Sequence, residues 1–167
     1  MTGVQTCALP ISKGLVKREV VQIVTPGTNM NAGSLNETKN NYLMSLYCHD
    51  MRYGISFADI TTGDFYTTEV DSFLKVVDEL SKYMPVELLI SKEIAEKQQE
   101  NYERLSALCE KEHSMLNIME NWYYEYEMNE RLITEQFHTM NLEGLGLKDF
   151  SAAVCSIGCL IYYLKDT

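Results

Sequence analysis

The stretch that decides the fold is residues 52–70, RYGISFADITTGDFYTTEV. Two segments rich in aromatic and β-branched residues, 52–60 and 65–70, flank a short turn that contains Gly63. This arrangement predicts a β-hairpin. Residues 42–48, YLMSLYC, precede the hairpin and are nearly continuously apolar, so the three segments together predict an antiparallel meander. Because both sides of the first two strands are apolar, we expect helices on both faces of the sheet.

Downstream of the meander, predicted helices alternate with short apolar strands. A helix is predicted over 72–84, where apolar residues recur at helical spacing and Pro85 ends the helix. Residues 86–90, VELLI, predict a buried strand parallel to a neighbour, because a helical crossover leads into it. A charged helical stretch to about residue 111 and a weaker strand candidate over 114–119 follow. The predicted fold class is α/β, a mixed sheet of an antiparallel meander plus a parallel strand with flanking helices.

Two more helices are predicted near the C-terminal end of the sequence. Asn129 opens the first, which places four apolar residues on one side: Leu132, Ile133, Phe137 and Met140. The second, over 149–165, is apolar all round and must therefore be covered by other protein. Since little sequence remains to cover it, we expect a piece cut from a longer protein. We also expect this helix to be exposed and to make the chain prone to associate.

The N-terminal quarter of the sequence is predicted to lie outside the main domain. Residues 1–12, MTGVQTCALPIS, resemble a translated adapter sequence, so we interpret them as a foreign leader. Residues 18–24, REVVQIV, predict a strand. Thr25-Pro26-Gly27-Thr28 ends this strand, because proline and glycine interrupt regular structure. The Asn-rich residues 29–41 then predict a linker or exposed loop.

The charge distribution argues against a nucleic-acid-binding domain. The chain has 167 residues and a formal net charge of −10, and residues 41–167 contain ten basic and 22 acidic residues. Affinity for nucleic acid comes mainly from Lys and Arg at phosphates. No apolar run reaches the roughly 18 residues of a membrane span, and no secretory signal is readable in this sequence. Five scattered cysteines indicate a reducing, cytoplasmic setting rather than a disulfide framework.

Cysteine and histidine supply the first candidate site, a metal centre. Cys155 and Cys159 are four residues apart on the last helix, and Cys48-His49 and His113 could complete a ligand set. Because the two helical cysteines lie in an apolar stripe, core cysteines are the favoured interpretation. No Cys or Ser in the sequence lies in a recognisable nucleophile motif beside a histidine.

Two loops carry further candidates. Gly144-Leu145-Gly146 is similar to a phosphate-binding loop, but Lys148 is not followed by Ser or Thr, so an ordinary turn is favoured. Asp59 follows an apolar strand of the meander, where ribonuclease H-like nucleases hold Mg²⁺, and Asp64 or Glu87 could join it. Two-metal chemistry needs three or four converging carboxylates. Capping of the next turn is therefore the favoured role of Asp59.

An aromatic cluster lies between the last strand candidate and the last two helices. Its members are Trp122, Tyr123, Tyr124 and Tyr126. Aromatic rings can stack on bases, but such platforms lie among basic residues, whereas Glu120, Glu125 and Glu127 flank this cluster. Packing of the cluster against the sheet is the favoured interpretation, and a protein-contact patch is the alternative.

Six stretches carry a resemblance to a known family through their order and spacing. They are KREVVQIVTPGT at 17–28, NNYL at 40–43, GISFADITTG at 54–63, PVELL at 85–89, LGL at 145–147 and the run 152–167 that ends YLKDT. Together they resemble the MutS family of DNA mismatch-repair proteins over about residues 13–167.

The resemblance implies a particular organisation of the chain. Residues 13–28 would be the tail of a mismatch-recognition domain, and 42–148 a connector domain with a ribonuclease H-like fold but no nuclease activity. Residues 149–167 would be the last connector helix, leading into a lever domain. Hinge candidates are Thr25, Pro26, Gly27 and Thr28.

The resemblance also implies a function. A connector of this family relays conformational change between the mismatch-recognition domain and the lever and ATPase domains, and it helps to dock the partner protein MutL. ATP, Mg²⁺, homodimerisation and mismatched DNA would belong to the parent protein in the cytoplasm, since the Phe-x-Glu wedge and the ATPase motifs of the family are absent from this sequence. No cofactor, metal, catalytic residue or membrane contact is expected in the chain itself.

Two alternatives remain at this point. The first is a Mg²⁺-dependent ribonuclease H-like nuclease centred on Asp59. The second is a generic protein-docking domain that binds its partner through the aromatic cluster.

Overall fold

A computed structural model describes residues 41–167 together with the backbone of residues 21–24. Its strands are β1 (Val21–Val24), β2 (Tyr42–His49), β3 (Arg52–Asp59), β4 (Asp64–Val70), β5 (Glu87–Ser91) and β6 (Met115–Met119). They form one sheet in the order β1-β4-β3-β2-β5-β6. The leader 1–12, the hinge candidates 25–28 and residues 29–40 of the predicted linker lie outside the described residues.

The sheet has an antiparallel half and a parallel half that meet at β2. In the antiparallel half, β2 pairs with β3, β3 with β4 and β4 with β1. In the parallel half, β5 runs alongside β2, and β6 runs alongside β5. The predicted meander and the predicted parallel strand are therefore confirmed, and the weak candidate over 114–119 is a second parallel strand.

One face of the sheet packs against three helices: α1 (Phe73–Tyr83), α2 (Lys92–Lys97) and α3 (Gln99–Glu112). Strand side chains such as Leu46, Ile55 and Phe57 meet Val76 of α1 and Leu105 of α3 in one core cluster. We predicted residues 91–111 as one helical stretch, but Gln98 interrupts it and separates α2 from α3. Its φ of −121° and ψ of 58° lie outside the helical region.

The other face packs against α4 (Tyr126–Gln136), α5 (Ser151–Asp166) and two short 3-10 turns, Asn121–Tyr124 and Glu143–Leu145. Helix α5 lies directly over β2 and β3, and every residue from 152 to 161 is buried. Our expectation that this helix is exposed is therefore wrong, because α4 and the first 3-10 turn cover the side that faces away from the sheet.

Helix α4 differs from its prediction at both ends. It begins at Tyr126, so Asn129 lies inside the helix instead of opening it. Asn129 is buried, and its amide Nδ2 donates hydrogen bonds to the carbonyl oxygens of Tyr123 and Cys155. The helix ends before Phe137, which leaves Met140 outside it and 99% exposed. Asparagine is common at helix caps, but here its two backbone acceptors hold it in the interface between α4 and α5.

Candidate functional site

Asp59 is the cap of the turn between β3 and β4. Its side chain is buried, and Oδ1 accepts hydrogen bonds from the backbone N–H groups of Thr61 (2.8 Å) and Thr62 (3.3 Å). The carbonyl oxygen of Asp59 also accepts from Gly63, whose φ of 77° falls in the left-handed region. The buried carboxylate therefore satisfies the turn backbone, as the favoured interpretation predicted.

Two of the carboxylates considered for a nuclease centre, Asp59 and Glu87, lie on opposite faces of the sheet. Side chains alternate along a strand, so Asp59 follows Phe57 onto the face that packs against α1. Glu87 instead accepts hydrogen bonds from Asn117 and from the Tyr163 hydroxyl on α5. The hydrogen bond between the Tyr163 hydroxyl and Glu87 is the main reason why the pKa of Tyr163 rises to about 12. Asp59 and Glu87 thus cannot converge on a pair of ions.

The cysteines and histidines of the candidate metal centre are also separated. Cys155 and Cys159 belong to the core cluster beneath α5, whereas Cys48 belongs to the cluster on the other face. His49 lies at the carboxyl end of β2, in the middle of the sheet. His113 lies where α3 leads into the amino end of the edge strand β6. Within residues 41–167, no group of three or more His, Cys, Asp or Glu side chains could hold a metal ion.

Gly144-Leu145-Gly146 is a turn whose backbone N–H groups are already used. The Gly144 N–H donates to Asn141 Oδ1, and the Gly146 N–H donates to the Glu143 carbonyl oxygen. Lys148 reaches back to Glu143 at 3.4 Å. A phosphate loop needs free N–H groups that point at the ligand, so the geometry favours the turn.

The aromatic cluster is split between core and surface. Tyr124 is 3% exposed and stacks on Tyr47 of β2 with ring centroids 4.9 Å apart. Trp122 is 48% exposed and stacks on Tyr123 at 3.7 Å. Tyr123 and Tyr126 are partly buried. Packing against the sheet is therefore confirmed for Tyr124, whereas Trp122 faces solvent.

Sequence reasoning missed Glu69, which anchors the start of α5. This buried residue of β4 accepts a hydrogen bond at Oε2 from the Ala153 N–H, and its Oε1 lies 4.0 Å from Arg52 Nε. The first turn of α5 has no acidic residue of its own and no side-chain cap. A carboxylate stabilises the positive N-terminal end of a helix, and here a distant strand supplies it. No sequence signal points to this contact, because Asp149 and Ser151 are both common cap residues near the start of α5.

A groove of about 420 Å³ opens beside this anchor, at the carboxyl ends of β2 and β5. Its walls include Tyr47, Tyr124, Glu93, Glu125 and Cys155. Burial, with the negative charge of Glu93 and Glu125 adding to it, raises the pKa of Tyr47 to about 12. Burial likewise raises the pKa of Cys155 to about 12, and that of Cys159 to about 11. The Tyr47 hydroxyl and the Cys155 thiol that line the groove are therefore protonated and unreactive at neutral pH.

These raised pKa values predict a loss of stability in alkali. The Cys155 and Cys159 thiols stay protonated in the folded protein but ionise near pH 9 when unfolded. The two protonated thiols therefore contribute fully to the free energy of unfolding below about pH 9. This contribution is lost as the pH rises through 11 to 12. We expect the urea midpoint to fall across this window and to fall less in the Cys155→Ala/Cys159→Ala variant. An equal fall in both proteins would contradict the assignment.

The fold and these sites define the class of protein. It is an α/β module in which a mixed sheet lies between two helical layers, and the candidate reactive groups of residues 41–167 do not converge. None of the helices in this described part is long and apolar enough to cross a membrane. The family described as MutS domain II matches residues 41–167. The chain belongs to this family, as a connector module of a MutS mismatch-repair protein.

Curated relatives agree with this assignment. The DNA mismatch repair protein MutS of Lachnoclostridium phytofermentans is 42% identical over 157 residues, which cover 94% of this chain and 16% of the relative. The MutS protein of Halothermothrix orenii is 38% identical over 164 residues, which cover 93% of this chain and 17% of the relative. That of Protochlamydia amoebophila is 33% identical, and 18% of it is covered. The chain thus spans less than a fifth of the length of these relatives.

Proposed function

We propose that the chain relays conformational change between the mismatch-recognition domain and the lever and ATPase domains of a MutS-type mismatch-repair protein, and that it helps to dock MutL. Membership of the MutS domain II family supports the repair context. The observation that supports the relay is the close packing of α5 against the sheet. The mismatched DNA, ATP, Mg²⁺ and homodimer of this proposal belong to the parent protein, which acts in the cytoplasm.

The seating of α5 uses both close packing and buried hydrogen bonds. A Cβ atom added to Gly54 of β3 would lie 2.0 Å from the Ala152 carbonyl oxygen, so the helix backbone rests directly on the strand. One turn further along, Ser156 Oγ donates to the Ser45 carbonyl oxygen at 2.7 Å. Sliding the helix would leave this donor and the Glu69 carboxylate unpaired in the interior, which is costly. A force on the C-terminal end of α5 would therefore move the whole sheet.

The same proposal includes a ribonuclease H-like fold without nuclease activity. A three-stranded antiparallel meander extended by two parallel strands, with helices on both faces, supports the fold assignment. The use of Asp59 in turn capping, and the placement of Glu87 on the other face, support a non-catalytic role. No observation favours the nuclease alternative.

The relay also requires a joint on the N-terminal side of the body. We propose that Thr25, Pro26, Gly27 and Thr28, with residues 29–41, form this joint. Twelve residues, 29–40, can span about 40 Å when extended, and half of them about 20 Å. Because β1 pairs with β4 in the same sheet, a swing about this joint would require β1 to separate from β4. The length of the segment would then limit how far the connector can move.

Shortening this segment in the full-length parent protein tests the relay. We expect removal of half of residues 29–40 to leave mismatch binding without ATP unchanged and to slow ATP-driven release of mismatched DNA about tenfold, within the usual range of coupling between sites. The matched control replaces residues 29–40 with a Gly/Ser sequence of the same length and should release DNA normally. Normal release from the shortened protein would contradict the proposal.

A further inference from the structure

The β6 edge of the sheet has no neighbouring strand among the described residues. β6 is the outermost strand on the parallel side, and its pairing with β5 runs in continuous register, so no bulge interrupts it. Its sequence, MLNIM, contains no proline and no charged residue. Natural edge strands usually contain a charged residue, a proline or a bulge, which prevents pairing with another chain. β6 therefore lacks the usual protection of an edge strand.

The unused backbone groups of this edge belong to Leu116 and Ile118. The Met115 N–H donates to the Val86 carbonyl oxygen, so the backbone groups of Met115 face β5. Because successive residues of a strand direct their backbone groups to opposite sides, those of Leu116 and Ile118 point outward. At this outer side, neither residue forms a hydrogen bond with any other described residue.

Apolar side chains accompany these backbone groups. Met115 is 61% exposed and Ile118 is 48% exposed. Leu116 packs against the cluster under α1 and α3, whereas Met119 belongs to the cluster beneath α5, so the strand has apolar side chains on both faces. A regular row of free amide and carbonyl groups between apolar side chains matches the edge of another β-strand.

We propose that β6 pairs in antiparallel orientation with β6 of a second copy of the chain, about a two-fold axis at Asn117. In this register Leu116 lies opposite Ile118 of the second copy, and the two residues exchange both backbone hydrogen bonds. All of the outward-facing backbone groups identified above are then used. Ser114 lies opposite Glu120, so no like charges meet across the axis.

The self-complementary register is the reason for choosing a second copy rather than a strand of another protein. A two-fold axis requires the same surface to fit itself, and the uncharged sequence of β6 meets this requirement in both hydrogen bonding and charge. The inference goes beyond the proposed relay, because the relay requires no contact between two modules of this kind.

Sedimentation velocity over a range of protein concentrations measures the association. A five-residue edge makes a small interface, so we expect a dissociation constant of about 10–100 μM. Ile118→Lys places a charge at the edge and should raise this constant at least about tenfold. The matched control, Leu74→Lys, adds the same charge at a 65% exposed leucine of α1 and should dimerise like the unaltered chain. Thermal unfolding of both variants checks that the fold is intact.

Disulfide formation tests the register. Asn117→Cys places a thiol opposite the same position of the second copy, with Cα atoms about 4.5 Å apart, which a disulfide can bridge. Met115→Cys is the matched control, because its thiol would face Met119 instead. Both variants also contain Cys7→Ser, and the other four native cysteines are buried. Under mild oxidation we expect the first variant to form linked dimers at least about tenfold faster than the second.

Three results would overturn the inference. A chain that stays monomeric up to about 0.5 mM would show that the edge does not pair. Equal effects of Ile118→Lys and Leu74→Lys would mean that any association does not use β6. Cross-linking of Met115→Cys as fast as that of Asn117→Cys would contradict the two-fold register. None of these measurements involves ATP or mismatched DNA, so their failure would leave the relay untouched.

Discussion

Replacing Gly54 by alanine is expected to lower the free energy of unfolding by about 3 kcal/mol or more, at the upper end of overpacking effects. The added methyl group would lie 2.0 Å from the Ala152 carbonyl oxygen and 2.5 Å from the Ala153 nitrogen. Both are backbone atoms of α5, so no side-chain rotation can relieve the clash. The helix would have to lift off β3 and disturb its hydrogen bonds to Ser45 and Glu69. Urea unfolding followed by Trp122 fluorescence measures the loss.

Gly144→Ala is the matched control for this substitution. A Cβ atom at Gly144 would meet only the Thr139 side chain at 3.1 Å and Asn141 at 3.8 Å, in an exposed turn. We expect a change within about 0.5 kcal/mol, as at most surface positions. A Gly54→Ala protein as stable as the Gly144→Ala protein would show that α5 does not lie against the sheet as described.

Truncation of Tyr124 to alanine is expected to cost about 3–5 kcal/mol, the range for large aromatic residues in a core. The Tyr124 ring is buried, stacks on Tyr47 and belongs to the cluster beneath α5. Trp122→Ala, two residues away, should cost much less, because about half of that side chain already faces water. Far-UV circular dichroism in urea can compare both variants without depending on the tryptophan.

An equal loss of stability in Trp122→Ala and Tyr124→Ala would contradict this prediction, because it would mean that the Trp122 indole is a core residue rather than the half-exposed one described above.

The strands of the sheet and the coverage of both its faces could be predicted from the sequence, because the spacing of hydrophobic residues reflects which side of a strand is buried. Continuous apolar strands at 42–48 and 52–60 indicated two covered faces, and both are covered. The small residues Gly54, Ser56 and Ala58 all lie on one side of β3. That side faces α5.

The remaining features depend on contacts between residues distant in sequence. Glu69 looks like an ordinary strand residue until α5, more than 80 positions later, places its uncapped N-terminus beside it. Asn129 resembles a helix cap until two backbone carbonyls from other elements hold it inside α4. Periodicity also could not separate Trp122 from Tyr124, because a 3-10 turn directs them to different environments.

The central claim is that residues 42–167 move as one rigid body when the parent protein binds ATP. The most direct test is a spin-label distance measurement in the full-length protein, with labels at two exposed positions: Ser81 in the last turn of α1, and Glu143 in the second 3-10 turn, after α4. We predict that ATP changes this internal distance by less than about 2 Å, the range of a preorganised body. A third label beyond residue 167 should move relative to both. An internal distance that changes by as much as the distance to the third label would contradict the account.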